Sequence, residues 1–201
     1  MSAAQLICIV DDDDSVRESL RELLEASDYA VEDFRSAIHF LASEALKRCN
    51  CLVADIRMPE MDGLQLQEEL ARRGYRFPVV IITGHGDVPL AVRAMRSGAA
   101  DFIEKPFKQE TLLSAVATAL SAPAAGVIAS DPAIAARLSE LTDREREVLE
   151  LLVLGDPNKV IAQKLSISFR TVEIHRSRVM AKMKAGSIAE LVRLVLGVRN
   201  T

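Results

Sequence analysis

The chain has no apolar stretch long enough to cross a bilayer. Its longest runs, such as Val79-Val80-Ile81-Ile82, end after a few residues, where a spanning helix needs about 20. The opening residues Met1-Ser2-Ala3-Ala4-Gln5 carry no basic charge, and the apolar stretch after them ends at four consecutive aspartates. No signal peptide is expected there, and a cytoplasmic protein without a membrane partner is. Cysteine is scarce. Cys8, Cys49 and Cys51 lie in apolar, strand-like settings and read as reduced core thiols. Cys49 and Cys51 lack the second ligand pair that a zinc site would need. Internal repeats and low-complexity tracts are missing as well.

What is present is globular: 201 residues, 49% hydrophobic and 27% charged, enough for one or two domains with their own cores. The formal net charge of −4 hides an asymmetry. Residues 1–121 hold 13 Lys/Arg against 20 Asp/Glu, a net of −7, while residues 122–201 hold 12 against 9, a net of +3. Within 158–184, seven basic residues face Glu173 alone. An acidic half joined to one with a basic centre points to nucleic acid as a partner of the second only.

The first 120 residues alternate short apolar runs with segments of helical periodicity. Strands are expected at Gln5–Val10, Ala30–Phe34, Cys51–Ala54, Val79–Ile82 and Asp101–Ile103. Helices are expected at Ser15–Ala26, Ala37–Lys47, Leu64–Arg73, Val88–Arg96 and Lys108–Leu120. This alternation predicts a five-stranded, doubly wound parallel sheet, with functional groups at the carboxyl ends of its strands. Residues 122–137 read as a linker between domains at 1–121 and 138–201. The last segment is all helical: Thr142 and Glu145 form a capping box, Asn158 and Ser168 cap the next two helices, and Ser187 caps the last.

In such a sheet Asp11, Asp12, Asp55, Thr83 and Lys105 all fall at carboxyl ends of strands and converge. Three carboxylates repel one another unless a counter-ion is present, and Mg²⁺, a hard cation that prefers oxygen, meets that need. A carboxylate beside Mg²⁺, a hydroxyl and an ammonium is arranged to attack a phosphoryl group. Asp13 and Asp14 read as a helix start favoured by the helix dipole and His39 as a surface helix residue; the bland alternatives are a plain turn for Lys105-Pro106 and a plain strand end for Thr83.

The second half contains a helix pair, 158–165 and 169–183, joined by Ser166-Ile167-Ser168, with the punctuation of a helix-turn-helix. The outer face of its second helix carries Arg170, Glu173, Arg176, Ser177 and Lys184, a pattern suited to the major groove. The plain alternative is a solvated basic face on a small bundle.

Residues 5–120, through the strand-end set above and the segment Asp55-Ile56-Arg57-Met58-Pro59-Glu60-Met61-Asp62-Gly63, resemble the receiver domain of two-component response regulators, a flavodoxin-like fold. Residues 139–197 resemble the LuxR/GerE-type tetrahelical DNA-binding domain through Leu141-Thr142-Asp143-Arg144-Glu145, Asn158-Lys159-Val160-Ile161-Ala162 and Arg170-Thr171-Val172-Glu173-Ile174-His175. Together these resemble the NarL/FixJ family, and Thr83-Gly84-His85-Gly86-Asp87-Val88 looks closest to its FixJ branch. The resemblance implies that Asp55 accepts a phosphoryl group from a histidine kinase. Asp11, Asp12, Asp55 and the backbone carbonyl of Arg57 would hold Mg²⁺, while Thr83 and Lys105 would bind phosphoryl oxygens and Phe102 would act as switch aromatic.

The same resemblance implies base contacts by Arg170, Glu173, Ile174 and Ser177 in double-stranded DNA, and phosphate contacts by Lys159, Thr171, His175, Arg176, Arg178 and Lys182. It implies a homodimer on phosphorylation through Val88, Val92, Met95 and Arg96. RNA polymerase and an oxygen-sensing haem kinase would be partners in activating nitrogen-fixation or microaerobic genes. Arg57 and His85, two residues past Asp55 and Thr83, would flank the phosphate and set its lifetime, although a plain loop histidine also suits His85. Two rivals stay open: an aspartyl-phosphate phosphatase with its nucleophile in the first acidic run, and a pure dimerisation module.

Overall fold

The computed structural model describes residues 5–84, 88–121 and 132–199. The α/β part runs β1 (Leu6–Val10), α1 (Asp14–Glu25), β2 (Ala30–Phe34), α2 (Ala37–Ala42), β3 (Cys51–Asp55), α3 (Gly63–Arg72), β4 (Val79–Thr83), α4 (Val88–Arg96), β5 (Asp101–Glu104) and α5 (Gln109–Ser121). All strand pairings are parallel, in the order β2-β1-β3-β4-β5. β1, β3 and β4 are buried at every residue, as apolar runs are when helices cover both faces of a parallel sheet. On one face Ile7, Ile9, Val53, Val80 and Ile82 pack with Leu20 and Leu24 of α1 and Leu112 and Val116 of α5. The reversal of strand order falls between β1 and β3, where this architecture opens its crevice.

One expected helix is broken. The segment expected helical over Ala37–Lys47 stops at Ser43, whose backbone is extended, and resumes as a 3₁₀ turn over Glu44–Lys47. Ser43 donates its hydroxyl to the carbonyl of Phe40, the local competition that keeps serine out of helix interiors.

The helical part comprises α6 (Pro132–Ser139), α7 (Asp143–Val153), α8 (Asn158–Leu165), α9 (Phe169–Met183) and α10 (Ile188–Arg199). Its core includes Val148, Leu149, Leu152, Ile161, Val172, Val179, Met183, Leu191 and Val192. Helix α6 begins inside the segment expected as linker, with proline in its first position and Ile134 buried; residues 122–131 lie outside the described ones. Asn158 is not the cap of α8. Pro157, fixed at φ −63 with an extended ψ, takes that place, and Asn158 enters the first turn with its Oδ1 buried and unpartnered. The chain falls into two compact units, residues 1–86 with 97–125, and residues 87–96 with 126–201. Helix α4 therefore groups with the second unit, where the sequence places it with the sheet.

Candidate functional site

The crevice between β1 and β3 is built from strand ends. Asp11 follows β1, Asp55 ends β3, Thr83 ends β4 and Lys105 follows β5. Asp11, Asp55 and Thr83 are all buried. Lys105 joins the set: its Nζ donates to Asp11 Oδ2 at 2.8 Å and to Asp55 Oδ1 at 2.9 Å. The second oxygen of Asp55 accepts the backbone N–H of Arg57 at 2.6 Å, and the second oxygen of Asp11 accepts the N–H of Asp13 at 2.9 Å. Thr83 is tied to the same corner, its carbonyl accepting the N–H of Lys105 at 2.7 Å. The Lys105-Pro106 bond is cis.

Burial pushes the Asp11 carboxyl above its usual range, partly offset by the Lys105 and Asp13 hydrogen bonds. Burial alone would lower Lys105, but its hydrogen bonds to Asp11 and Asp55 outweigh that and hold it above its ordinary value. The ammonium therefore stays charged and keeps two acidic groups side by side.

Asp12 and Arg57 are exposed. Among the described residues no three His, Cys, Asp or Glu side chains are drawn together tightly enough to form a metal centre. The donor set nevertheless fits Mg²⁺. Its oxygens come from carboxylates, the ligands this hard cation prefers, and among the described residues of the set there is no thiolate or imidazole. Phe102 is already buried, opposite Ile81 across the β4–β5 ladder. His85 lies outside the described residues. On α4, Val92 and Met95 are buried, Val88 is half-buried and Arg96 is exposed. Cys8, Cys49 and Cys51 are buried, unpaired thiols. Contact with Cys8 and burial raise Cys49, and burial pushes Cys51 up to about 12, so both are poor nucleophiles.

Gly63 guards the geometry of Asp55. It opens α3 after Asp62, whose side chain forms a capping box with Gln65, and its N–H donates to Ile56 O at 2.9 Å. A Cβ at this position would overlap the carbonyl of Asp55, and backbone cannot yield as a side-chain tip can. Gly63→Ala is expected to cost about 1–3 kcal/mol, measured by urea unfolding.

In the second unit, α8 ends at Ser166 in the left-handed region, φ 54, and α9 is capped by Ser168, whose Oγ accepts the Thr171 N–H at 3.0 Å. The tight turn between them makes the helix-turn-helix. Val172, Val179 and Met183 bury one stripe of α9. The opposite side exposes Arg170, Glu173, Ile174, Ser177 and Arg178, and Lys159 is exposed on α8. Arg170 Nη1 lies 3.8 Å from Glu173 Oε2. Thr171, His175 and Arg176 are half-buried, Thr171 bonds the Ser168 hydroxyl, and His175 Nδ1 is buried without a partner.

Lys182 is placed differently from the exposed cations. Its Nζ donates to Glu145 Oε2 at 2.6 Å and to the Glu140 carbonyl at 3.0 Å, and Glu145, in the capping box of α7, is only 2% exposed. Sequence reasoning saw that box but not its lysine, 37 residues away. It also passed over Phe169, 51% exposed at the start of α9, and Arg17 beside the acidic pocket. The only local signal for Arg17 was a basic residue one turn into the helix after an acidic run.

Strand-end carboxylates bridged by one lysine, and a separate helix-turn-helix with a basic outer face, have counterparts among known proteins. Residues 7–117 match the response regulator receiver domain, and residues 139–195 match the bacterial regulatory proteins of the luxR family. The chain belongs to the response regulators that carry a LuxR-family DNA-binding domain, transcription factors rather than classical enzymes. Within that class it is FixJ-like. The transcriptional regulatory protein FixJ of Azorhizobium caulinodans is 50% identical over 190 residues, 94% of this chain and 90% of that protein. The response regulator protein TmoT of Ectopseudomonas mendocina is 44% identical over 198 residues, 98% and 90% of the two chains. Full-length FixJ from B. japonicum aligns over 100% of both chains at 42% identity, with a TM-score of 0.53. No helix among the described residues is long and apolar enough to cross a membrane.

Proposed function

We propose that this protein is a phosphorylation-activated DNA-binding regulator whose input is a phosphoryl group on Asp55. The observation that carries the reading is the bridge from Lys105 to both Asp11 and Asp55 at the carboxyl ends of the sheet. An Asp55 carboxylate oxygen attacks the phosphorus of a kinase phosphohistidine. A P–O bond forms, the P–N bond breaks, and the imidazole departs. Lys105, protonated throughout, turns from Asp55 to a phosphoryl oxygen, and the Thr83 hydroxyl donates to another. Mg²⁺ held by oxygens of Asp11, Asp12, Asp55 and the Arg57 carbonyl would supply further positive charge to the phosphoryl oxygens. Arg57, exposed beside Asp55, would govern how readily water reaches the acyl phosphate, with His85 as its companion in that role.

Output is a two-state shift biased by that charge. Movement of Thr83 and a change in the packing of Phe102 alter β5 and α4, and Val88, Val92, Met95 and Arg96 become a self-pairing surface. Two DNA-binding domains then engage one symmetric site, Arg170, Glu173, Ile174 and Ser177 reading bases while Lys159, Thr171, His175, Arg176 and Arg178 hold phosphates. Lys182 belongs to the phosphate set only if it leaves Glu145. FixJ relatives make nitrogen-fixation or microaerobic genes, an oxygen-sensing haem kinase and RNA polymerase the first targets and partners to try.

The test measures molar mass and affinity for duplexes selected from a random library, with and without beryllofluoride. A dimer with about hundredfold tighter binding is expected in its presence. A monomer of unchanged affinity in both states sinks the proposal.

A further inference from the structure

The contact that stands apart from the reading above is made by a half-buried arginine behind the acidic pocket. Arg17, on the first turns of α1, is only 11% exposed. Its Nη1 donates to the backbone carbonyl of Asp11 at 2.8 Å. Its Nε donates to Asp33 Oδ2 at 3.1 Å, and its remaining nitrogen pairs with Asp14 at the start of α1. Asp33 lies on β2, in register with Ile9 of β1, and also receives Arg21. One guanidinium thus ties the end of β1, the second strand and the start of the first helix together. Its planar fork of donors does this; a lysine ammonium cannot reach three such directions at once.

The carbonyl it holds is the important one. The Asp11 N–H donates to Phe34 O at 3.2 Å, so β2 fixes the peptide before Asp11 while Arg17 fixes the peptide after it. That second peptide carries Asp12, whose carboxylate is exposed and so is aimed by its backbone rather than by packing. Were the carbonyl free to turn, the direction of Asp12 would turn with it, and Asp11, half-determined by the Asp13 N–H, would follow.

We infer that Arg17 is a positioning residue for cation binding: it presents Asp11 and Asp12 to a divalent cation by holding the peptide between them, without touching the cation. The inference rests on the proposed role of this pocket as a Mg²⁺ site. Charge and position predict opposite signs. Removing a positive charge near two carboxylates would tighten cation binding, whereas losing the hold on the peptide loosens it. Arg21 supplies the comparison, since it shares Asp33 and carries the same charge but has its bonds to Asp33 and Glu25 rather than to Asp11.

The experiment is calorimetric titration of the full chain with Mg²⁺ alone, for wild type, Arg17→Gln, Arg17→Lys and Arg21→Gln. The dissociation constant of Arg17→Gln should rise about tenfold, the scale of losing an outer partner of a metal ligand. Arg17→Lys should fall between it and wild type, and Arg21→Gln should match wild type or bind slightly tighter. At saturating Mg²⁺, the labelling rate of Arg17→Gln with acetyl phosphate should return to within about twofold of wild type, a split between affinity and rate that general loosening of the fold would not give. Should Arg17→Gln fail to fold, Arg17→Lys, which keeps charge and bulk, carries the same comparison. Unchanged or tighter binding in both Arg17 variants, or equal weakening in Arg21→Gln, overturns the inference. A wild-type chain that takes up no Mg²⁺ overturns the pocket reading beneath it.

Discussion

Asp55→Asn is expected to abolish covalent labelling by acetyl phosphate, leaving nothing above background, while the chain stays folded. The first half of the expectation is chemical. An amide has no carboxylate oxygen to attack phosphorus, and Asp11 and Asp12, which follow a different strand, are proposed as cation ligands rather than acceptors. The second half is structural. Lys105 keeps Asp11 as a counter-charge at 2.8 Å, so no ammonium is left buried and unpaired, and the change in stability should stay near 1 kcal/mol. Asp11→Asn reverses the pattern, slowing labelling without removing the acceptor. If Asp11→Asn abolishes the label and Asp55→Asn does not, the nucleophile lies in the first acidic run and the phosphatase reading takes over.

Lys182→Met should destabilise the DNA-binding domain by about 2 kcal/mol. Removing one partner of a buried ion pair strands the other, and Glu145 is buried; the estimate sits below that of a fully buried pair because Lys182 is 33% exposed. The same variant should leave the salt dependence of DNA affinity unchanged, since a lysine tied to Glu145 and the Glu140 carbonyl releases no counterion from DNA. Lys159→Met, which removes an exposed cation, should instead make the slope of log K against log salt shallower by about one. A shallower slope for Lys182→Met would return this lysine to the DNA surface.

Acid gives the pair a second signature. The Lys182 bond and the Thr142 N–H hold the Glu145 carboxyl at about 2, against an ordinary 4.5. A carboxyl depressed by folding stabilises fully above its unfolded pKa, and that stability is lost as pH falls through the folded value. The gap in melting temperature between wild type and Lys182→Met should therefore be full above about pH 4.5 and close toward pH 2. A gap independent of pH would mean that lost packing by the lysine stem, not charge, explains the variant.

The α/β fold was legible in the sequence because its central strands β1, β3 and β4 are fully buried. Val79–Ile82 and Cys51–Ala54 have almost no alternative as apolar runs of that length, and strand ends then placed Asp11, Asp55, Thr83 and Lys105 without any contact being known. The misjudgements fall where local rules compete. Ser43 ends a helix that periodicity would carry on to Lys47, and Pro157 takes the cap that Asn158 resembles. Contacts between distant segments were beyond local reading: Lys105 meets Asp11 across 94 residues and Lys182 meets Glu145 across 37. The lysine of the pocket was found because strand order predicts convergence. No comparable rule brings the end of one helix to the start of another, so Lys182 was placed on phosphate by the family resemblance alone.

Two buried thiols give the sheet a clock of its own. Cys8 lies within β1 and Cys51 opens β3, both fully buried, so a maleimide or disulfide reagent reaches them only when the central strands part. Their rate of modification therefore reports the opening free energy of the layer that carries Asp55. Any occupant that draws Asp11, Asp55 and Lys105 together should slow that rate in proportion to how tightly it is held, and breathing of the sheet can then be followed in a chain with no label added.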